Sequence, residues 1–330
     1  WYGDRIFNKE HYGEVFWAGR KAYPEALPKL IKLADNIENA PMVRATAISL
    51  LGNYTDQSID QLFTKTIKDK DPLIRHSTLT VIHNSGVSST IQLILNSLDD
   101  PIRLVRIMAA NALTRFSQDE IPADKRELYK RNLDEYKKSL MINADHPNTH
   151  VNFGNLYLNL GDIAKAEASY REAIRIEPGL VTAYINLADL YRRLKKDDEG
   201  EKLLKSALER YPELAAIHYA LGLLKIRQEK HTEAMKYLKN AAILAPEEAH
   251  YSYVYGIGLN SMQQPDKAIA FLVSALKDHP YDREILYILT TLNIEQENRA
   301  DAENYASKLI EYYPKDPNYQ QLITFLNELK

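Results

Sequence analysis

The sequence has 330 residues, of which 45% are hydrophobic and 26% are charged. Its 42 Lys and Arg nearly balance its 45 Asp and Glu, and the net charge of −3 lacks the basic excess typical of nucleic-acid or membrane-surface binding. Cysteine is absent, which excludes disulfides, thiolate catalysis and Cys-ligated metals within these residues. The length predicts about two domains with buried cores.

The first part of the chain, residues 1–120, contains amphipathic segments at a regular spacing. Arg44, Arg75 and Arg106 recur with a 31-residue period and lie in three of these segments. Most of the segments open with a proline, which suits the first helical turn, and an Asp beside it can accept backbone N–H groups at the helix start. "DQSIDQLFTKTIKD" and "SSTIQLILNSLD" lie between them as partner helices. Paired helices of this kind are similar to HEAT repeats.

A long polar segment follows, and residues 121–146 are predicted to form one connecting helix. Its sequence, "PADKRELYKRNLDEYKKSLMINADHP", has no glycine and no internal proline between its two ends. Because both residues disrupt helix interiors, their absence favours a continuous helix. We expect this helix to join the two repeat arrays without a flexible linker.

Residues 147–316 show a second and longer period. It is marked by five evenly spaced prolines and by small residues in step with them: Pro178, Pro212, Pro246, Pro280 and Pro314, with Ala166, Gly200, Ala234, Ala268 and Ala302. A 34-residue period with this pattern is typical of tetratricopeptide (TPR) repeats, each a pair of antiparallel helices. The small residues allow close helix approach, and the proline ends the second helix.

The period places five repeats at 147–180, 181–214, 215–248, 249–282 and 283–316. Residues 317–330 are predicted to form an amphipathic capping helix. The stretch "HYSYVYGIGL" alternates like a strand, but the phase of the surrounding repeats predicts a helix there. The expected fold is therefore all-α, an α-α superhelix (solenoid) of HEAT-like repeats followed by TPR repeats.

Candidate binding residues lie on the first helix of each repeat, which lines the concave surface in TPR arrays. One line of equivalent positions holds Asn155, Asp189, Leu223 and Ile257, and a second holds Val151, Ile185, Tyr219, Tyr253 and Tyr287. Three tyrosines in register could bind an extended peptide, because tyrosine combines a large contact area with a polar tip. Arg192 and Asn260 share their phase and could bond the peptide backbone. The alternative is that the tyrosines pack against neighbouring helices.

Motifs for catalysis are not found in the sequence. It has no Gly-rich phosphate loop, no HExxH and no nucleophile elbow. His146 and His150 have i, i+4 spacing, but Pro147 starts a helix between them, and we expect surface histidines and no metal site. A chaperone-type carboxylate clamp is also unexpected, because Val151, Ala216 and Ala220 stand where the cations would be. We therefore expect a protein that is not an enzyme and has no catalytic or metal-binding residues.

The order of the segments is more specific than any one of them. "HYGEVFWAGRKAYPEALPKLIKLADN", "APMVRATAISLLGN", "DPIRLVRIMAANAL", "SLMINADHPNTHVNFGNLYLNLGD" and "HYSYVYGIGLNSMQQPDKAIAFL" follow one another. This succession resembles the C-terminal region of bacterial TPR-containing multihaem cytochrome c proteins, over nearly the whole chain. The resemblance implies a c-type haem domain before Trp1, electron transfer by the parent protein, and the periplasm as its location. The sequence itself has no CxxCH, so we expect no cofactor-binding residues in it.

The leading functional expectation is a non-catalytic scaffold that binds a protein or peptide in the groove. The alternative is a structural array that docks on its own haem domain or mediates self-association. No apolar run approaches the roughly 20 residues needed to span a bilayer, so no membrane span is expected. Nucleic acid is not an expected partner either, because the sequence lacks a basic excess.

Overall fold

The structure is a computed structural model, and it describes residues 11–85, 91–314 and 316–328. All regular secondary structure in these residues is helical, which confirms the predicted all-α fold class. Residues 1–10, where the sequence places the edge of a haem domain, lie outside the described part of the chain. The same is true of 329–330 at the end of the predicted capping helix.

The helices before residue 146 alternate with short turns. In chain order they are α1 (Tyr12–Arg20), α2 (Ala26–Asp35), α3 (Pro41–Leu51), α4 (Gln57–Thr66), α5 (Pro72–Ser85), α6 (Ile91–Asn96), α7 (Arg103–Leu113) and α8 (Ala123–Met141). Helix α8 lies in the segment for which the sequence predicts a connecting helix. Its Tyr129 and Leu133 are buried in the core formed by the preceding helices, and Asn132 Nδ2 donates to the Leu98 carbonyl at 2.9 Å.

From residue 147 the helices follow a regular spacing. They are α9 (Pro147–Asn159), α10 (Ile163–Ile176), α11 (Val181–Arg193), α12 (Asp197–Arg210), α13 (Ala215–Arg227), α14 (His231–Leu244), α15 (Ala249–Ser261), α16 (Pro265–Asp278), α17 (Arg283–Glu295), α18 (Arg299–Tyr312) and α19 (Pro317–Glu328). Each odd-numbered helix of this series starts one 34-residue period after the previous one. The strand-like stretch at 250–259 is helical, within α15.

The chain forms two compact units. The first comprises the described residues through Asp145 together with 152–166, and the second comprises 146–151 and the described residues from 167 onward. The division passes through α9, because Phe153 belongs to the core of the first unit whereas Val151 packs with Ala173 in the second. The boundary between the units thus lies inside the first 34-residue repeat.

Ion pairs connect successive helix pairs in the first unit. Arg44 Nη2 donates to Asp69 Oδ2 at 2.7 Å, and Arg75 binds Asp100 through two bonds of 2.7 and 2.8 Å. The side chains of Arg75 and Asp100 are only 11% and 9% exposed. The two pairs have the same separation along the chain. The 31-residue period of the arginines is therefore matched by the same period in the aspartates.

The series of ion pairs ends at the third arginine. The position at the same separation after Arg106 holds Arg131 instead of an aspartate. Arg106 Nη1 donates to the carbonyls of Asp100 and Pro101 at 2.9 and 3.1 Å, as Arg75 Nη1 does to the equivalent carbonyls of Asp69 and Lys70. Arg131 lies within α8, the helix that follows the segments with the 31-residue period.

Small buried residues hold the helices close together in the second unit. Gly200, Ala234, Ala268 and Ala302, at equivalent positions, are all buried. On the first helices the contact is also tight, since a Cβ at Gly256 would lie 2.7 Å from the side chain of Leu272. Real Cβ atoms do not approach other atoms so closely, and larger residues at these positions would force the helices apart.

The turns inside the repeats share one backbone conformation. Gly161 has φ +76°, and the residues at equivalent positions of the later repeats, Lys195, Glu229, Gln263 and Glu297, have φ between +57° and +60°. This left-handed conformation ends the first helix of each pair, and it is the position that glycine usually occupies. Only the first of these five equivalent positions has a glycine.

Helix α19 is in phase with the first helices of the repeats. It starts one repeat period after α17, and its buried Tyr319 and Leu326 are equivalent to the buried Ile285 and Leu292 of α17. The segment for which the sequence predicts a cap therefore continues the surface that the first helices form.

Candidate functional site

Three tyrosines predicted to lie in register do occupy three successive first helices. Tyr219 is on α13, Tyr253 on α15 and Tyr287 on α17. The first two are half-buried, and Tyr287 is 43% exposed. We call the surface of the second unit that α11, α13, α15, α17 and α19 form the first-helix face.

His250, on α15, contacts residues of both neighbouring first helices, α13 and α17. The Nε2 atom of His250 lies 3.0 Å from the Tyr219 hydroxyl, and its Nδ1 lies 3.0 Å from Glu284 Oε2. An ionised carboxylate can only accept, so the hydrogen of a neutral imidazole must be on Nδ1. Nε2 then accepts a hydrogen bond from Tyr219. One polar chain therefore crosses α13, α15 and α17.

Ring contacts run along the same surface. Tyr219 stacks on Tyr251 with ring centroids 4.7 Å apart, and the imidazole of His250 lies 5.8 Å from Tyr219 and 5.9 Å from Tyr253. Aromatic pairs at these separations contribute about 0.5–1.5 kcal/mol beyond the area that they bury. Tyr219 thus has a packing role, whereas Tyr287 retains much of its exposed surface.

The phenol groups on this surface keep their protons at neutral pH. Burial raises the pKa of Tyr219, and the neighbouring Tyr251 and Glu284 raise it further. Burial likewise raises the pKa of Tyr253, with the negative charge of Glu284 as the next cause. Both hydroxyl groups therefore remain hydrogen-bond donors at neutral pH.

A pocket of about 500 Å³ opens beside this chain of contacts. Helices α15 and α17, and the segment that contains α19, supply its walls. Its lining includes Tyr253, Arg283, Glu284, Tyr287, Asp316 and Tyr319. This volume falls in the range of ligand-binding pockets, about 300–1,000 Å³.

Asp189 and Arg192, two further predicted site residues, bind each other on α11. Arg192 donates to Asp189 Oδ1 at 2.5 and 2.8 Å, and Arg193 donates to Oδ2 at 2.8 Å. Burial by itself would raise the pKa of Asp189, but the bonds from the two arginines outweigh it and hold the pKa below its ordinary value. The polar groups of Asp189 and Arg192 are therefore already partnered.

Two of the remaining predicted residues lie on the same helix as Tyr253. Ile257 and Asn260 are half-buried on α15. Asn155 is exposed on α9, within the first unit, whereas the other candidates belong to the second. The tyrosines and the residues around them are therefore the best-defined part of the predicted site.

Sequence reasoning missed His250 and Glu284. They are one 34-residue period apart, and are thus equivalent positions of neighbouring repeats. Their spacing was a usable signal, because equivalent positions on adjacent first helices face the same surface. Among the described residues, no group of three or more His, Asp or Glu side chains is arranged to hold a metal ion. Within the same ranges, no helix is long and apolar enough to cross a membrane.

Comparison with known proteins identifies the repeats. A tetratricopeptide-repeat family model matches residues 160–224 and 259–324, and a second tetratricopeptide-repeat model matches 215–248. A search of curated proteins finds no significant match.

Solved structures share the fold at low identity. Yeast Tom70 is 15% identical, with 98% of this chain and 75% of that chain covered and a TM-score of 0.55. PilF of Pseudomonas aeruginosa is 17% identical, with 58% and 85% covered and a TM-score of 0.47. YrrB, described as a TPR protein with an unusual peptide-binding site, is 21% identical, with 57% and 96% covered and a TM-score of 0.42. The repeats themselves indicate a protein–protein interaction scaffold. The chain is therefore a TPR-containing protein.

Proposed function

We propose that this chain is a non-catalytic scaffold whose first-helix face binds an extended segment of a partner protein. The observation that carries the proposal is the pocket lined by Tyr253, Tyr287 and Tyr319, in which Tyr287 is 43% exposed. An extended chain could place successive side chains against successive rings, as peptide-binding grooves do. Neutral phenols and the His250–Glu284 pair would supply polar contacts that fix its orientation.

The parent protein is further proposed to be a multihaem c-type cytochrome of the periplasm, involved in electron transfer. The support is the succession of segments that resembles the C-terminal region of that family. In this proposal the haems are held by a domain before Trp1, and the partner is either that domain or another protein. A longer natural chain would then show CxxCH motifs upstream and a Soret band that survives denaturation. A natural sequence without those motifs would contradict it.

A structural role is the competing proposal, and the contacts of Tyr219 favour it. Its ring stacks on Tyr251 and its hydroxyl bonds His250, so much of this side chain serves packing. An array that docks on its own haem domain or on a second copy would need no free peptide site. The two roles differ in what loss of Tyr287 should do.

Tyr287→Ala tests the binding role. Peptides selected from a random 12-residue library on the unaltered protein serve as ligands, and affinity is measured by calorimetry. Loss of a tyrosine that contacts ligand should weaken binding by about 2 kcal/mol or more, roughly 30-fold. The melting temperature should stay near that of the parent, because this side chain is substantially exposed.

Tyr237→Ala is the matched control. Tyr237 is a half-buried tyrosine on α14, a second helix, and its ring contacts His218. Its loss should lower stability and leave affinity per folded molecule unchanged. A library that yields no binding peptide, or a Tyr287→Ala variant with full affinity, would favour the structural role.

A further inference from the structure

The pocket between α15, α17 and α19 combines aromatic rings with carboxylates. Tyr287 and Tyr319 have ring centroids 6.3 Å apart at an interplanar angle of 45°. Tyr319 is only 8% exposed, and the edge contact with Tyr313 at 6.1 Å fixes its ring. Tyr253 supplies a third ring from α15. The negative face of an aromatic ring attracts cations, most strongly where water is partly excluded.

Two carboxylates line the same pocket, and each accepts a hydrogen bond from a described residue. Glu284 Oε2 bonds His250 Nδ1 at 3.0 Å, and Asp316 Oδ1 accepts from the backbone N–H of Asn318 at 3.0 Å. Each of these bonds uses one of the two carboxylate oxygens. The second oxygen of each group can accept from a ligand, since a carboxylate has about four lone-pair sites.

Arg283 is the cation among the described residues of the pocket lining. It is exposed. Its positive charge lowers the pKa of Tyr319, whereas the charges of Asp316 and Glu284 raise it. With two carboxylates against one guanidinium, the described residues of the lining carry an excess of negative charge. Burial is the largest cause that raises the pKa of Tyr319, and Asp316 is the next.

We propose that this pocket takes a basic side chain, lysine or arginine, of the extended segment that binds the first-helix face. The proposal rests on the proposed function and adds the chemistry of the ligand. The rings contact the aliphatic stem and the face of the cationic group, and Glu284 and Asp316 accept its N–H donors. An acidic side chain would meet two like charges there, and burying its charge unpaired would cost affinity.

The experiment uses four pools of 12-residue peptides. Each pool has one fixed central residue, Lys, Arg, Glu or Leu, and random uncharged residues elsewhere. Binding to the protein is measured by fluorescence anisotropy. The Lys and Arg pools should bind about tenfold more tightly than the Glu pool, as expected for a charge pair within a partly desolvated site. The preference should weaken as salt rises.

Isosteric variants test which side chains cause the preference for basic peptides. Glu284→Gln and Asp316→Asn keep an oxygen for their existing bonds but remove the charge, and each should reduce the preference for basic pools about fivefold or more. Arg283→Gln should strengthen binding of the Lys pool. Glu311→Gln is the matched control, because Glu311 is an exposed glutamate on α18, a second helix. It should leave the preference intact.

The outcomes separate this inference from the function on which it rests. If no pool binds, the binding role itself is overturned and the inference with it. If the pools bind without preference for basic residues, only the inference is overturned. It is also overturned if the preference survives in both Glu284→Gln and Asp316→Asn. Circular dichroism of each variant establishes that a loss of binding is not a loss of folding.

Discussion

The two units differ in the buried residues that recur at equivalent positions. In the first, Arg44–Asp69 and Arg75–Asp100 link one pair to the next through largely buried ions. In the second, alanine and glycine are buried at equivalent positions of successive repeats. A buried ion pair needs both partners, because a lone buried charge is costly. A close apolar contact needs only that neither side become larger.

The second unit keeps its 34-residue register with and without a buried ion pair at one equivalent position. Position 225 holds Lys225, which is buried and binds Glu201 at 2.7 Å. Hydrogen bonds from Lys205 and then Lys225 are the main causes that lower the pKa of Glu201 to about 2. One repeat later the residue equivalent to Lys225 is Leu259, which belongs to an apolar core. The 34-residue register is kept across both versions, so the ion pair is not what sets it.

Ala207→Arg should produce the largest effect in this comparison. Ala207 is fully buried on α12, so the change both overpacks the contact and buries a charge. We expect the second unit to lose about 4 kcal/mol or more of unfolding free energy. Neighbouring repeats should weaken too, because each is stabilised by its neighbours. Urea unfolding followed by circular dichroism measures the loss.

Ser206→Arg is the control for that change. Ser206 is the adjacent, exposed residue of the same helix, and its substitution should stay within about 0.5 kcal/mol of the parent. An Ala207→Arg protein as stable as Ser206→Arg would mean that small residues do not hold this unit together.

Asp100→Ala should produce the next largest effect, in the first unit. It leaves the guanidinium of Arg75 largely buried without its bidentate partner, at a cost of about 3 kcal/mol. The double change Arg75→Met with Asp100→Ala should recover part of that loss, because it removes the buried guanidinium that the single change leaves without its carboxylate. Denaturant midpoints measure each variant.

The exposed pair Arg103–Glu135 provides the comparison for this test. Glu135→Ala should cost less than about 1 kcal/mol, as surface ion pairs do. Equal losses for Asp100→Ala and Glu135→Ala would show that burial of the ion pair is not what matters in the first unit.

Glu229→Gly should produce the smallest effect, and in the opposite direction. Glu229 has φ +60° in the turn between α13 and α14. Left-handed backbone costs a non-glycine residue about 1–2 kcal/mol, and the greater freedom of glycine in the unfolded chain offsets part of this gain. We expect a net stabilisation of about 0.5–1 kcal/mol, measured by thermal melting.

Lys230→Gly, one residue later, is the opposing control. Lys230 has φ −91° and is the N-cap that precedes α14, so glycine gains nothing there and should lower stability slightly. Gly161→Ala should destabilise the equivalent turn before α10 by about 1 kcal/mol. A Glu229→Gly protein that is less stable than the parent would contradict this account of the turns.

Periodicity explains why much of the fold could be predicted from sequence. The 34-residue phase of the prolines and small residues outweighed the strand-like alternation at 250–259, where α15 is helical. Phase also placed Tyr219, Tyr253 and Tyr287 on successive first helices. The part that could be predicted is thus the part that repeats.

Contacts between individual side chains were harder to predict, because they depend on how far each side chain reaches across to a neighbouring helix. The 31-residue spacing of the arginines was visible, but the matching spacing of Asp69 and Asp100 was not connected with it. His250 and Glu284 were missed in the same way. The left-handed turns gave no local signal, since lysine, glutamate and glutamine are ordinary in helices and do not mark such a position.

The turn residues also bear on how far the binding surface can change. Lys195, Glu229, Gln263 and Glu297 each occupy a conformation that glycine would adopt more easily. They lie at the ends of the first helices, in the turns to the second. Substitutions there offer a reserve of folding free energy that could compensate for destabilising changes on the first-helix face. Engineering of new peptide specificity could therefore begin by filling these turns with glycine and then altering the tyrosines.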